Sequence, residues 1–204
     1  MTTTMPSRLP KAERTRQAVL AAAEELFSER GFDATPLSTI GERAGIQASA
    51  ILYHYASKRE LYEAVLERMF APLLDEVSRQ LEGDGSLPDR LGSIAATMVR
   101  FAADRPAAAR LVLRESVAGG EAVDIVGTAS QRQWRRFVEA LAGEDGVDFD
   151  PLVVWNIVVG AICFYFAAGP TVGGLTHDPC EPLRVAEFES RMIHVTHALC
   201  GFDQ

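Results

Sequence analysis

Cysteine is scarce in this chain: three residues of 204, Cys163, Cys180 and Cys200, with no CxxC pair. An odd number leaves one thiol over in any intramolecular scheme, which argues against a secreted disulfide framework and for a reducing, cytoplasmic setting. A basic region followed by an apolar core is missing from the N-terminus, so no signal peptide is expected, and residues 1–10 read as a disordered leader. Period-2 alternation of useful length is absent, which removes amphipathic strands, and no segment repeats. There is no GxSxG, HExxH, P-loop or GxGxxG in a strand-helix setting, and the four histidines are scattered, so an enzyme is not expected. His194 and His197 stand at i, i+3 without a third ligand at a fitting spacing, so neither a metal nor a cofactor is expected.

An excess of positive charge is lacking as well. The net charge is −8, but it is unevenly spread: residues 1–58 carry seven basic and six acidic residues, and the remainder is −9. Lys11, Arg14 and Arg16 cluster where they can meet phosphates. This mild asymmetry permits nucleic-acid binding without establishing it.

What is present is helical periodicity nearly throughout, so the expected fold class is all-α. Ala18, Val19, Ala22, Ala23, Leu26 and Phe27 form a stripe over residues 13–30, stopped by Gly31, with Phe32 folding back. A long helix opens at Lys58 and carries Leu61, Tyr62, Val65, Leu66, Met69 and Phe70 inward, then continues, kinked, past Pro72. Further helices are expected over 87–103, 106–117, 120–142, 151–168 (capped by Asp150 and stopped by Gly169-Pro170) and 183–200, with loops at 83–86, 143–150 and 173–182. Residues 152–168 hold no charge and a single amide, Asn156. Seventeen residues without flanking Lys/Arg are short for a membrane span, so a buried helix that also forms a subunit interface is expected, with no membrane partner. Val185, Phe188, Met192, Val195 and Leu199 give the last helix one apolar face, suited to pairing with the helix before it. Four such helices from two chains make a two-fold bundle.

Between the first stripe and the long helix lies TPLSTIGERAGIQASAILYHYASK, residues 35–58. Thr35 is placed to cap a short helix that Pro36 begins, and Leu37, Ile40 and Ala44 give it one apolar edge. Gly45 suits a left-handed helix end, and a second short helix follows from about Gln47 or Ala48 to Tyr55. Ala50, Ile51 and either His54 or Tyr55 face inward, while Gln47, Ala48, Ser49 and Tyr53 face out. This is the pattern of a DNA-binding helix-turn-helix, and equally of an ordinary helical hairpin.

Residues 14–66 resemble the N-terminal domain of the TetR family of bacterial transcriptional regulators. The resemblance rests on Phe27, Gly31, Phe32, Thr35, Ile40, Ala44-Gly45-Ile46, Tyr53-His54-Tyr55, Lys58 and Leu61 in that order. Gln47 and Ala48 stand where many relatives carry Ser or Thr and Lys or Arg, Leu52 replaces a common tyrosine, and Tyr55 a common phenylalanine. The resemblance implies a DNA-binding domain over 1–58, a helical ligand-binding and dimerisation domain over 59–204, and a cytoplasmic homodimer joined through helices about 150–168 and 183–200. Its second motif helix is expected in the major groove of a palindromic operator, as a repressor released by a small-molecule effector. Gln47 can then bond adenine, Ala48 touch a thymine methyl, and Ser49 bond a base or phosphate. Thr35, Thr39, Tyr53, His54 and Lys58 complete the candidate DNA contacts, Tyr53 and Lys58 through phosphates. Met98, Phe101, Trp134, Phe137, Trp155, Phe164 and Tyr165 can line an effector pocket or equally form plain core; Arg114 and Glu115 are the charged candidates to orient a ligand, with surface placement the expectation for both. The competing reading is a helical protein-interaction module without specific DNA binding.

Overall fold

The computed structural model describes residues 10–118, 135, 137–139, 141, 147–172 and 177–202. Among them no strand occurs, in line with the all-α expectation. The helices are α1 (Lys11–Arg30), α2 (Leu37–Ala44), α3 (Ala48–His54), α4 (Lys58–Leu81), α5 (Leu87–Asp104), α6 (Pro106–Ala118), α7 (Pro151–Val172) and α8 (Pro182–Leu199). Most of the expected helix 120–142, and residues 143–146 and 173–176 of the expected loops, lie outside the described residues.

The chain divides into two compact units, Met1–Glu67 and Arg68–Gln204. The first is built on α1, whose Val19, Leu20, Ala22, Ala23, Leu26 and Phe27 are buried. Ala18, expected in that stripe, faces solvent, and Leu20 takes its share of the core. Gly31 ends α1 at φ 83°, and its N–H bonds the Phe27 carbonyl at 2.8 Å. The turn returns Phe32 onto Phe27, with ring centroids 5.9 Å apart. Tyr62 from α4 closes the trio, edge-on to Phe27 at 4.9 Å and tilted on Phe32 at 4.9 Å. Leu61, Tyr62 and Val65 are fully buried in this unit. The expected boundary at residue 58 therefore falls short of the division after Glu67. The start of α4 supplies aromatic and aliphatic side chains that the first three helices need to close their core.

Thr35 departs from the expected capping role. It is fully buried, and its hydroxyl donates to the Gly31 carbonyl at 2.7 Å, with the Leu26 carbonyl at 3.4 Å. Pro36 is the residue before α2, and no side-chain hydrogen bond caps that helix. Thr35 thus ties the segment after α1 back to the Gly31 carbonyl at the end of that helix.

In the second unit, α4 continues through Pro72 to Leu81. Ser86 caps α5, accepting the Asp89 N–H at 3.3 Å, while Leu87, Leu91, Ile94, Ala95, Met98, Val99 and Ala102 are buried. Asp150 caps α7 as expected, accepting the Leu152 N–H at 2.8 Å. Gly169-Pro170 does not stop α7, which extends to Val172; the proline forfeits one N–H bond in the last turns without ending the helix.

The expectation that α7 is a buried helix holds along one edge only. Val154, Val158, Ile162 and Phe166, four residues apart, are buried in the core. Leu152, Val153, Ile157 and Phe164 are 42–50% exposed. The apolar stretch Pro151–Gly169 is long and apolar enough to cross a membrane, contrary to the sequence estimate of a segment too short. Its buried edge is that of a helix packed on other protein helices.

The last helix lies mainly along α5 rather than along the helix before it. Arg100 donates Nε and Nη2 to the Glu189 carboxylate at 2.8 Å each. His197 Nε2 lies 2.9 Å from the Pro88 carbonyl, and Gly92 leaves room for that ring: a Cβ there would come within 2.9 Å of it. Contact with α7 is aromatic, Phe188 stacking on Tyr165 at 3.9 Å. The three cysteines are free, and burial pushes the Cys163 and Cys200 thiols up to about 11, so both are protonated at neutral pH.

Replacing Thr35 with Val keeps its shape and removes its hydroxyl, at a cost of about 1–2 kcal/mol for the carbonyls left behind. Thermal unfolding should show a lower midpoint for the variant. An unchanged midpoint contradicts the role given to the hydroxyl.

Candidate nucleic-acid interface

The joint between α2 and α3 is set by two glycines of different kinds. Gly45 ends α2 in the left-handed region at φ 71° and ψ 30°, as its position in the sequence predicts. Its N–H bonds the Glu42 carbonyl at 3.3 Å, and the next N–H, from Ile46, bonds the Gly41 carbonyl at 2.9 Å. A Cβ on Gly45 would meet nothing within 4 Å. Gly41, which the sequence reading passed over, is required by proximity. A Cβ there would stand 2.6 Å from the Ile46 carbonyl oxygen and 3.2 Å from the Ala48 nitrogen. Because those atoms are backbone, the turn cannot give way without moving α3. The i, i+5 relation of a small residue to the turn was the signal available in the sequence.

This joint fixes which side of α3 is left outside. Ile51 is fully buried and Ala50 half-buried; Tyr55, just past the helix, is buried as the sequence suggested, with the Arg16 guanidinium 5.5 Å from its ring centroid. Gln47 and Ser49 are exposed, Ala48 is half-buried, and Tyr53 is 86% exposed. Leu52 joins them at 47% exposure. His54 is half-buried, its ring edge-on to Tyr53 at 5.3 Å. Thr39 is half-buried on α2. The sequence-predicted set Gln47, Ala48, Ser49 and Tyr53 is therefore brought to one outward surface.

Two candidates are placed differently. Thr35, fully buried with its hydroxyl on the Gly31 carbonyl, has no side-chain surface to offer a phosphate. Lys58 is half-buried, with Nζ 4.3 Å from the centroid of the Phe32 ring and 3.4 Å from the Asp33 carbonyl. Its ammonium helps to fasten α4 to the turn after α1.

Two further local devices hold the surface. Ser57 Oγ accepts the Glu60 N–H at 3.1 Å, and the Glu60 carboxylate accepts the Ala56 N–H at 2.7 Å, so α4 begins with a reciprocal cap. The Ser57-x-x-Glu60 spacing was legible in the sequence and was missed. Arg43 on α2 makes a two-pronged ion pair with Glu25 on α1, Nε to Oε2 at 2.9 Å and Nη2 to Oε1, which raises the arginine's pKa through the hydrogen bond. No sequence rule pairs residues that far apart in the chain.

The candidate effector residues all belong to the second unit. Met98 and Phe137 are buried, and Trp155 lies against Phe137 at 5.2 Å between centroids. Tyr165 is stacked on Phe188. These four belong to or pack on one apolar core. Phe101 contacts Phe70 at 5.7 Å, with the Arg105 guanidinium 5.7 Å from its ring. Arg114 is half-buried, and Glu115, expected at the surface, is 2% exposed. Phe164 is 45% exposed, on the outer edge of α7, which removes it from that core. Trp134 lies outside the described residues. Among the described residues, a separate open cavity of about 340 Å³ is lined by Gln80, Asp89, Ser93, Thr97, Arg100, Glu189 and His197, among others.

Residues 19–65 match the model of a family described as bacterial regulatory proteins, tetR family. The chain is 41% identical over 75 residues to the HTH-type transcriptional activator FasR of Mycolicibacterium smegmatis, covering 37% of this chain and 34% of that protein. It is 33% identical over 118 residues to the HTH-type transcriptional regulator RutR of Escherichia coli, covering 58% of this chain and 54% of RutR. The chain thus spans between a third and about half of the length of these relatives. In fold it is similar to native NalD of Pseudomonas aeruginosa, the secondary repressor of the MexAB-OprM multidrug efflux pump, with TM-score 0.69, 18% identity, and 92% and 97% of the two chains covered.

Alanine at Gly41 gains about 1 kcal/mol of helix propensity and loses more to the backbone clash, since overpacking costs roughly 1–3 kcal/mol. Gly41→Ala should therefore lower the unfolding midpoint further than Gly45→Asn, since asparagine tolerates the left-handed φ of 71° and its side chain starts in open space. The reverse order contradicts this account of the joint.

Proposed function

We propose that this chain, which belongs to the tetR family of bacterial regulatory proteins through residues 19–65, is a sequence-specific DNA-binding transcriptional regulator. The observation that carries the reading is the outward face of α3, where Gln47, Ser49 and Tyr53 are exposed beside half-buried Ala48, behind a turn that cannot relax. Such a helix fits the major groove and reads base edges, while its flanks meet phosphates. Gln47 reads adenine through its amide, Ser49 bonds a base or phosphate, Tyr53 donates its hydroxyl to a phosphate, and Thr39 and His54 flank them. Lys11 and Arg14, exposed at the start of α1, add phosphate charge. Lys58 contributes to phosphate binding only by exchanging its contact with Phe32.

The working form is a homodimer over a palindromic operator, its two reading helices about one DNA turn, roughly 34 Å, apart. The exposed apolar edge of α7 supports this: Leu152, Val153, Ile157 and Phe164 form a row that a second copy would cover. The outer side of α8 carries the Arg184–Glu187–Arg191 ion pairs and takes the more polar part of that bundle. The regulator acts as a repressor, released by a small apolar or amphipathic effector held in the second unit. The effector relieves repression through its differential affinity for the two conformations. A helical interaction module without DNA specificity leaves the family match and the exposed polar groups of α3 without a use.

Tyr53→Phe should weaken binding about five-fold on every sequence, the worth of roughly one hydrogen bond of 1 kcal/mol. Gln47→Ala should instead relax preference at one base pair, worth about 1–3 kcal/mol. Wild-type protein that prefers no sequence and shows no salt dependence would sink the DNA reading. Charges at Val153→Glu and Ile157→Glu should convert the dimer to a folded monomer on gel filtration and abolish tight binding to the palindrome. A doubly charged variant that stays dimeric, or wild-type protein that floats with lipid vesicles, contradicts the assignment of the α7 edge.

A further inference from the structure

We infer that α3 reads an A·T-biased half-site, with Leu52 as a specificity-determining contact to a thymine methyl; this rests on the DNA-reading role proposed above. Five side chains face outward at the joint and along α3: Gln47, Ala48, Ser49, Leu52 and Tyr53. Ala48 and Leu52 are four residues apart, as are Ser49 and Tyr53, so the helix presents two parallel ridges. One ridge is polar. The other is aliphatic.

No member of this face carries a charge. Guanine is most often read by Arg or Lys, whose paired donors match O6 and N7. The only side chain of α3 able to carry a proton charge is His54, which is half-buried against Tyr53. Neighbouring cations are engaged elsewhere: Arg43 on the Glu25 carboxylate, Lys58 on the Phe32 ring and the Asp33 carbonyl, and Arg16 over Tyr55. The surface therefore lacks the group that would favour G·C pairs. It holds the group that favours adenine, the Gln47 amide, whose donor and acceptor pair with N7 and N6.

Leu52 supplies the apolar half of the face. It leaves 47% of its surface outside the core on a face where solvent gains nothing from it. In a major groove the apolar partner for such a side chain is the C5-methyl of thymine. Ala48 lies one turn earlier on the same ridge, about 6 Å along the axis, close to two base-pair steps. Two thymine methyls separated by about that distance fit the ridge, with the adenine for Gln47 adjoining the first.

The test is selection of duplexes from a random pool with the full chain, followed by replacement of single thymines by deoxyuridine in the selected site. Deleting one methyl that Leu52 covers should weaken wild-type binding about four-fold, the worth of one buried carbon. In Leu52→Ala the same uracil should cost nothing, while uracil under Ala48 should still be felt. Because the perturbation is made in the DNA, a folding defect in a variant does not imitate it. Selected half-sites with G·C pairs beneath α3, indifferent to uracil, overturn the inference and leave DNA reading intact. A pool from which no sequence is preferred overturns both.

Discussion

The close approach of Gly41 to the Ile46 carbonyl is the constraint on which the N-terminal unit depends. At 2.6 Å from a would-be Cβ, the turn has no slack, so the angle of α3 follows from backbone contact rather than from side chains that evolve freely. Burial of Ile51 and Tyr55 on one side then dictates that residues 47–49, 52 and 53 lie on the other. The outward surface of α3 is thus a consequence of how the joint closes. Its chemistry is free to vary because none of its members holds the fold together. That separation explains how Gln47, Ala48 and Leu52 can differ from common choices in related sequences while the architecture stays the same.

Behind the joint, the aromatic trio Phe27, Phe32 and Tyr62 ties α1 to α4, and Lys58 over Phe32 extends the same cluster toward the surface. The N-terminal unit therefore includes the first turns of α4 and is not complete at Lys58. In the second unit a different economy operates. One edge of α7 completes a core with α5 and α8, and the opposite edge remains apolar and exposed. The exposed edge of such a helix is the surface that the dimer proposed above would cover, with the same row of residues from a second copy.

Much of this was legible in the sequence because it rests on local rules. Helix periodicity, the stop at Gly31, the left-handed Gly45 and the cap at Asp150 each depend on a few adjacent residues, and each appears where the pattern placed it. What was not legible depends on distance. Thr35 looked like a helix cap because its neighbours suit one, but its hydroxyl is turned back to carbonyls of α1. Gly41 looked like an ordinary helix interior, since nothing local reveals which backbone comes near it. Glu115 and Phe164 exchanged expected places, the charge inside and the ring outside, because burial on α6 and α7 is set by partners far along the chain. The effector residues were chosen by type alone, and type does not distinguish a pocket wall from a filled core.

In the regulator proposed above, two copies of α3 read one face of a DNA duplex in adjacent major grooves. Hydroxyl-radical footprinting of the full chain on its selected fragment tests it most directly. The account predicts two protected patches on each strand, symmetric about the operator centre and about 10 base pairs apart. Uniform protection along the fragment, or a single patch that no symmetry relates to a second, would contradict it.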